Sequence, residues 1–520
     1  MTASHVKRLC FWLLMALFAG LMLLWMLHVP YRPERLFRAI PGNAALISVH
    51  DSLAERWPEI SKNTLLMSLL AACGVDLETQ AMMAADRDFQ YWFRRLTPDR
   101  AVIAYVPSFF RQGQEAWVVA SWLGGDSQQL RWLLTWTRRH PCRKEGRHHG
   151  HILWSMETEE GQPSFRFAVV EGGVIGVLCE DPAALNALLD MYDGRIPGAA
   201  ALVQSLADEA AQANPPARDF GIYATEPLPL RYCLQDVSPG RMALSLAVPF
   251  SIQTSSAWIA EDQFRELGKI IGEIPMATLL LSRGALKAAL EHPLAAADTA
   301  AIRPWLDRLG GDALMLCVLG GDYSGRIKGI KWPALLAGVP AGGNRDVRAT
   351  VQGILDELNR AYQWGLILRE VPQGEQPSVY IIESTAGNAY SKFSLQEQLA
   401  FTLRGGWLLL ASNAGTLMKI CGHYGRGEEE EAEALWEQPA ESDAALCRMN
   451  LAEGGKIVKT ALTAYSMKLL FSDPDETQAE RQRINEYKAW IDTLSPFEIL
   501  KIKVQTGEQL NILISLGAVE

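Results

Sequence analysis

The sequence predicts an α+β protein: one N-terminal transmembrane helix, then two tandem copies of a unit built from antiparallel sheet and helices. Three observations carry that expectation. Twenty-one residues near the start hold no formal charge, a set of local patterns recurs about 234 residues further on, and neighbouring apolar runs are spaced as hairpins. At 520 residues the chain is several domain equivalents long. Its 49% hydrophobic and 21% charged residues exclude a disordered or collagen-like chain. Forty-nine Lys and Arg against 59 Asp and Glu leave a formal charge of −10, so the basic footprint of a nucleic-acid binder is absent. Eight cysteines are too few for a disulfide-built scaffold.

The uncharged stretch runs from Leu9 to Val29. At about 1.5 Å per residue it spans roughly 30 Å, the thickness of a hydrocarbon core, with Trp12 and Trp25 towards its two ends. A cleaved signal peptide would have a shorter apolar region and a small-residue cleavage site. Here Pro30-Tyr31-Arg32-Pro33-Glu34-Arg35 follows instead, which favours an uncleaved signal anchor. Lys7 and Arg8 precede the span and Arg32, Arg35 and Arg38 follow it, so the positive-inside rule divides. A short head with the bulk of the chain behind it favours export of that bulk. The expected organisation is a cytoplasmic head at 1–8, the anchor at 9–29, a tether at 30–37, and repeats at 38–260 and 261–520.

Within the repeats, Arg38-Ala-Ile-Pro-Gly-Asn-Ala-Ala-Leu-Ile-Ser48 parallels Gly272-Glu-Ile-Pro-Met-Ala-Thr-Leu-Leu-Leu-Ser282. The segment from Phe167, FAVVEGGVIGVLCEDPAALNALL, parallels AFTLRGGWLLLASNAGTLMKI from Ala400. Each of these reads as two short strands joined at Gly-Gly and followed by an amphipathic helix. The strand after Asp99 matches the one after Asp312, and the strand from Asp219 matches the one from Asp443. Arg100–Val106 with Ala116–Leu123 forms a hairpin, and helix Ser127–Arg139 carries Leu130, Leu133, Leu134 and Thr137 as a stripe for packing on a sheet. Helices are expected on one side of each sheet. Closing strand pairs are expected at Arg241–Val248 with Phe250–Trp258, and at Phe497–Val504 with Leu510–Leu516. Pro227–Gly240 reads as a short connection, Lys331–Asp346 as a Gly- and Pro-rich insertion, and Gly455–Leu494 as helix.

This combination of anchor, Ile-Pro-x-x-Ala and paired strand–Gly-Gly–strand–helix segments resembles a family of membrane-anchored envelope proteins of Gram-negative and related bacteria that carry a domain of unknown function. The resemblance covers nearly the whole exported part. It implies an inner-membrane, single-pass protein facing the periplasm or cell exterior, and it brings no catalytic residues with it.

The residues themselves offer few chemical motifs. His140-Pro-Cys142-Arg-Lys-Glu-Gly-Arg-His148-His149-Gly-His151 holds zinc- and copper-type ligands. A solvated turn is the preferred reading, because Arg143, Lys144 and Arg147 repel a cation and the spacing lacks paired ligands. Trp132 and Trp136 with nearby basic residues would suit phosphates, anionic lipid or glycans, but they are expected to bury against the sheet beside the leucine stripe. Glu428–Glu431 with Glu433 and Glu437 reads as a solvated helix face. Cys179, Cys233, Cys317 and Cys447 lie in strand-like runs as buried thiols. Asp88 and Asp99 could be paired for acid–base work, yet spacing alone does not support it. G-x-S-x-G, H-E-x-x-H and Walker motifs are absent, and Ser412-Asn413-Ala-Gly415 resembles a nucleophile elbow only superficially.

The expected function is therefore a membrane-anchored binding or scaffolding protein of the envelope, with no catalytic, cofactor or metal residue assigned. Its ligand would be a lipid, peptide, glycan or another envelope protein, and nucleic acid is not expected. The alternative is an anchored hydrolase or transferase with a site in the groove between the repeats.

Overall fold

The computed structural model describes residues 11–22, 28–72, 87–109, 114–136, 142–156, 165–179, 181–213, 216–224, 229–248, 267–271, 275–291, 313–320, 325–327, 330–341, 347–374, 376–386, 397–423, 443–469, 474–506 and 510–517. They divide into two units, Met1–Pro239 and Gly240–Glu520. Residues 11–22 are helical, and every one of them is apolar. Phe11, Trp12, Leu13, Leu14, Leu17, Phe18 and Leu21 are all exposed. No helix among the described residues is long and apolar enough to cross a membrane. The remainder of the expected span, at 9–10 and 23–27, lies outside the described residues.

The first unit opens with a 3-10 helix, Pro33–Ala39, and β1 (Leu46–Asp51), followed by helices Leu53–Ile60, Thr64–Ala72 and Arg87–Leu96. Next come β2 (Arg100–Phe109), β3 (Gln114–Trp122), helix Asp126–Trp136, β4 (Cys142–His148), β5 (His151–Met156), β6 (Phe165–Val170) and β7 (Gly173–Leu178). Helices Ala184–Tyr192 and Ala200–Gln212 lead to β8 (Asp219–Ala224) and β9 (Pro229–Ser238). All pairings are antiparallel, in the order β9-β8-β1-β2-β3-β7-β6-β5-β4. The first strand in sequence is thus interior, hydrogen-bonded to β2 on one side and to β8 on the other.

The two-residue side-chain period divides this sheet's faces. Ile47, Val49, Val102, Ala104, Val118, Ala120, Ala168 and Val170 meet Leu36, Phe37, Leu185, Leu188 and Val203 on one face. Phe167, Val169, Val174 and Trp154 meet Leu130 and Leu134 on the other. Glu171-Gly172 makes the turn between paired Val170 and Gly173. Gly172 has φ +75, and a Cβ there would lie 2.4 Å from the Trp122 ring, so a side chain is excluded twice over.

The second unit contains β10 (Arg241–Val248), β11 (Ala277–Ser282), helix Arg283–Glu291, β12 (Ala313–Leu319), β13 (Gly325–Ile327), β14 (Ile330–Trp332) and β15 (Ala334–Pro340). Helix Val347–Tyr362 precedes β16 (Leu366–Gln373), β17 (Gln376–Ser384), β18 (Ala400–Arg404) and β19 (Trp407–Ala411). Helix Ala414–His423, β20 (Asp443–Asn450), helices Leu451–Leu469 and Pro474–Leu494, β21 (Ile499–Gln505) and β22 (Leu510–Gly517) complete it. Its antiparallel order is β10-β22-β21-β20-β11-β12-β15-β19-β18-β17-β16, with β13–β14 a separate hairpin. Met315, Leu336, Ile381, Trp407 and Leu409 pack on Leu417 and Ile420 across one face. Val347 and Leu355 of helix Val347–Tyr362 reach Phe401, Leu408, Leu366 and Ile382 on the other.

The molecule is mixed α+β with extensive antiparallel sheet, as the sequence predicts, but several details differ. Helices cover both faces of each sheet, because β6, β7, β18 and β19 are apolar at consecutive positions rather than at alternate ones. The expected tether is core: Leu36 and Phe37 are both 1% exposed. Pro229–Ser238 is a full strand, β9. Lys331–Asp346 includes β15, an interior strand between β12 and β19, and not merely a loop. Strand β10 belongs to the second unit, where it pairs with β22. Phe250–Trp258 and Glu428–Glu437 lie outside the described residues.

Candidate functional site

Among the described residues a dense polar constellation lies on β1, on the sheet face opposite Ile47 and Val49. Ser48 and His50 are two residues apart and share that face. Register brings Gly221 opposite Ser48 and Asp219 opposite His50, and then Tyr232 of β9 opposite Gly221. Ser48 Oγ lies 2.7 Å from His50 Nε2, and His50 Nδ1 lies 2.8 Å from Asp219 Oδ1. Tyr232 donates its hydroxyl to Ser48 Oγ over 2.6 Å. The Tyr232 ring passes over Gly221, where a Cβ would stand 2.7 Å from the phenolic oxygen, so glycine opens the path between them.

The loop and helix after β1 supply the fifth member. Ser52 takes a left-handed conformation, φ 51, and turns helix Leu53–Ile60 back across the strand end. Arg56 then donates Nε to the Asp51 carbonyl at 2.9 Å and grips Asp219 with both terminal nitrogens at 2.5 and 2.6 Å. Burial opposes ionisation of Asp219, which is 3% exposed. Hydrogen bonds from Arg56 and His50, together with the Arg56 charge, outweigh that burial and hold its carboxyl below the ordinary carboxylate range. An ionised Asp219 can only accept, so His50 Nδ1 carries a proton. In the neutral imidazole Nε2 then accepts from Ser48, and the proton direction runs from Tyr232 to Ser48 to His50 to Asp219.

Hydroxyl, imidazole and carboxylate in that order form the series by which a serine is made nucleophilic: the imidazole takes the hydroxyl proton and the carboxylate steadies the resulting cation. Here the serine is 7% exposed and its oxygen is already engaged by Tyr232. The same bonds also tie β1, β8, β9 and the following helix together. An open hollow of about 390 Å³ is framed by Arg87, Gln90, Tyr91, Arg94 and Arg95, and none of the three residues of the series lines it.

Sequence reasoning missed this cluster. Its available signal is a Ser and a His at alternate positions among Leu46, Ile47 and Val49; Asp219 is 169 residues from His50 and no motif links them. Asp99 sits in an adjoining group, with Arg100 bound to Asp51 at 2.7 Å. Burial and the neighbouring Asp51 charge raise the Asp99 carboxyl, with Arg100 opposing them. The side chain of Asp88 lies outside the described residues.

The other sequence candidates are dispersed. The six described cysteines are free thiols. Burial pushes Cys142 up to about 11 and Cys317 up to about 12, so neither offers a thiolate at neutral pH. His140 lies outside the described residues, while His148, His149 and His151 cluster at the β4–β5 turn with Asp190 and Asp193. The tryptophan expectation is overturned: Trp132 is 48% exposed and Trp136 84%, while Leu130 and Leu134 are buried. Tyr362 and Trp364 of the second unit are also exposed and stack with centroids 4.9 Å apart.

Compared with protein-family models, curated proteins and solved structures, the chain matches none.

Proposed function

We propose that this chain is a membrane-anchored envelope protein, single-pass in the inner membrane with its bulk exported, that binds or scaffolds through two tandem copies of one α+β unit. The observation that carries the reading is helix 11–22, apolar at every position and exposed at all but Gly20, a surface suited to an apolar solvent. The duplication is supported by strand order. In the first unit β1 lies between β2 and β8, as β11 lies between β12 and β20 in the second, and β2-β3-β7-β6-β5-β4 parallels β12-β15-β19-β18-β17-β16. The resemblance to anchored envelope proteins with a duplicated domain is part of the same proposal.

Binding is favoured by the aromatic pairs. Helix Asp126–Trp136 leads into edge strand β4 and helix Val347–Tyr362 into edge strand β16, and each ends beside two exposed rings. Exposed aromatics stack on sugars, lipid headgroups or peptide side chains at little conformational cost. Native mass spectrometry on protein taken gently from its own membranes tests for a retained lipid, peptide or glycan; a bare chain mass counts against tight ligand carriage. Anchoring is tested by alkaline extraction. The native chain stays with the membrane, whereas Leu14→Arg with Leu17→Arg releases it, since each centrally placed arginine costs about 3 kcal/mol of insertion. Release of the native chain sinks the proposal.

A second reading, an anchored hydrolase or acyltransferase, is favoured by Ser48, His50 and Asp219 alone. A fluorophosphonate probe would label Ser48, and His50→Ala would abolish that labelling. No labelling at Ser48 under native conditions refutes it.

A further inference from the structure

We propose that His148, His149 and Asp190 of the first unit form a binding site for a divalent transition-metal ion of the zinc class, with water completing the coordination. The two histidines lie at the β4–β5 hairpin, where His148 pairs with His151. His149 and Gly150, with φ 45 and 91, are the two central residues of a tight turn of the primed type favoured between antiparallel strands. That turn presents adjacent imidazoles against the last turn of helix Ala184–Tyr192, from which Asp190 projects. His148 Nε2 is 3.0 Å and His149 Nε2 is 3.6 Å from the same Asp190 oxygen. All three ligand atoms lie within 4.8 Å of one another.

Those separations are what a metal requires. Zinc bonds of about 2.0–2.2 Å to nitrogen and oxygen in a tetrahedron place ligand atoms roughly 3.3–3.5 Å apart. The two distances to Asp190 straddle that range, and no pair of the three ligand atoms is more than 4.8 Å apart. The ligand set of two imidazoles and one carboxylate selects zinc, copper, nickel or iron over calcium and magnesium, which take oxygen cages. His149 is exposed, with 44% of its side chain accessible, which leaves room for water or an exchangeable ligand. A second pair, His151 Nε2 to Asp193 at 3.2 Å, braces the same turn against the same helix end.

The charge balance also permits it. Arg195 stands 3.8 Å from that same Asp190 oxygen and 3.9 Å from Asp193, and as a cation it works against the ion, but its side chain is 45% exposed and free to swing into solvent. Arg143, Lys144 and Arg147 are exposed on β4, where solvent screens them. Cys142 begins that strand as a buried thiol, outside the site. Sequence spacing argues for a plain turn because the third ligand, Asp190, comes from 42 residues away.

The test uses the full chain in detergent, without a polyhistidine tag, stripped with a chelator and titrated with Zn²⁺ against a chromophoric competitor. One equivalent should bind, unaffected by millimolar Mg²⁺ or Ca²⁺. His149→Asn keeps the left-handed turn, which asparagine tolerates, and should weaken binding at least about tenfold without moving the melting temperature of the metal-free protein. Asp190→Asn should do the same, while His151→Gln should change affinity by less than about threefold. Co²⁺ should give a visible ligand-field spectrum that His149→Asn removes. Failure to bind Zn²⁺, or binding indifferent to both His149→Asn and Asp190→Asn, overturns the proposal.

Discussion

Asp219 and Asp99 are carboxylates of one sheet end with opposite acid–base behaviour. Asp219 ionises more readily folded than unfolded, so its stabilisation is fully present above about pH 4 and lost as the pH falls through the lower folded value. Asp219→Asn should therefore cost about 3 kcal/mol at pH 7, by leaving part-buried Arg56 without its charge partner, and the deficit should shrink in acid. Asp99 is raised by burial and by Asp51, so its ionisation weakens the fold as the pH climbs from the ordinary carboxylate range through the folded value. Asp99→Asn should be neutral to stabilising at pH 7. Urea titrations at pH 7 and pH 3 decide both signs. None of this is legible in sequence, because the partners of Asp219 meet it through strand register and not through spacing. What is legible is the oddity of Ser48 and His50 among Leu46, Ile47 and Val49.

Helix Asp126–Trp136 illustrates how a helix stripe is read and misread. Leu130 and Leu134 are four apart and share the buried face, as expected from 3.6 residues per turn. Trp132 and Trp136 each lie two residues beyond a leucine, about 200° around the helix, and so point away from the sheet. Leu130→Ala should destabilise the protein by about 2–5 kcal/mol, while Trp132→Ala and Trp136→Ala should stay within about 0.5 kcal/mol, as measured by chemical denaturation. Hairpins β6–β7 and β18–β19 were readable because Gly-Gly marks each turn region; Gly405 and Gly406 both take positive φ. Strand β9 was not, since Pro229–Ser238 is intermediate in burial over most of its length and lacks alternation. Strand β15 was hidden by the Gly and Pro that crowd Ala334–Pro340 and its flanks.

For the whole chain, the two units predict two separate maxima of amide protection. Hydrogen exchange on the full protein should be slowest in β1, β2, β3 and β7 and in β11, β12, β15 and β19, and fastest in edge strands β4 and β16. A single maximum, or protected edges, would contradict the strand orders. Fold class was accessible from sequence because it depends on local periodicity. Which strand neighbours which was not, because β1 meets β8 only after the intervening chain has folded back. That placement also sets a clock on biosynthesis. His50 is made 169 residues before its partner Asp219. At roughly 5–20 residues per second a ribosome needs about 10–30 s to bridge that interval. Until then β1 has an empty flank, and no nascent segment ending before β8 can close the sheet around it. A chain that must wait for its own late residues stays open long after β1 itself has been made.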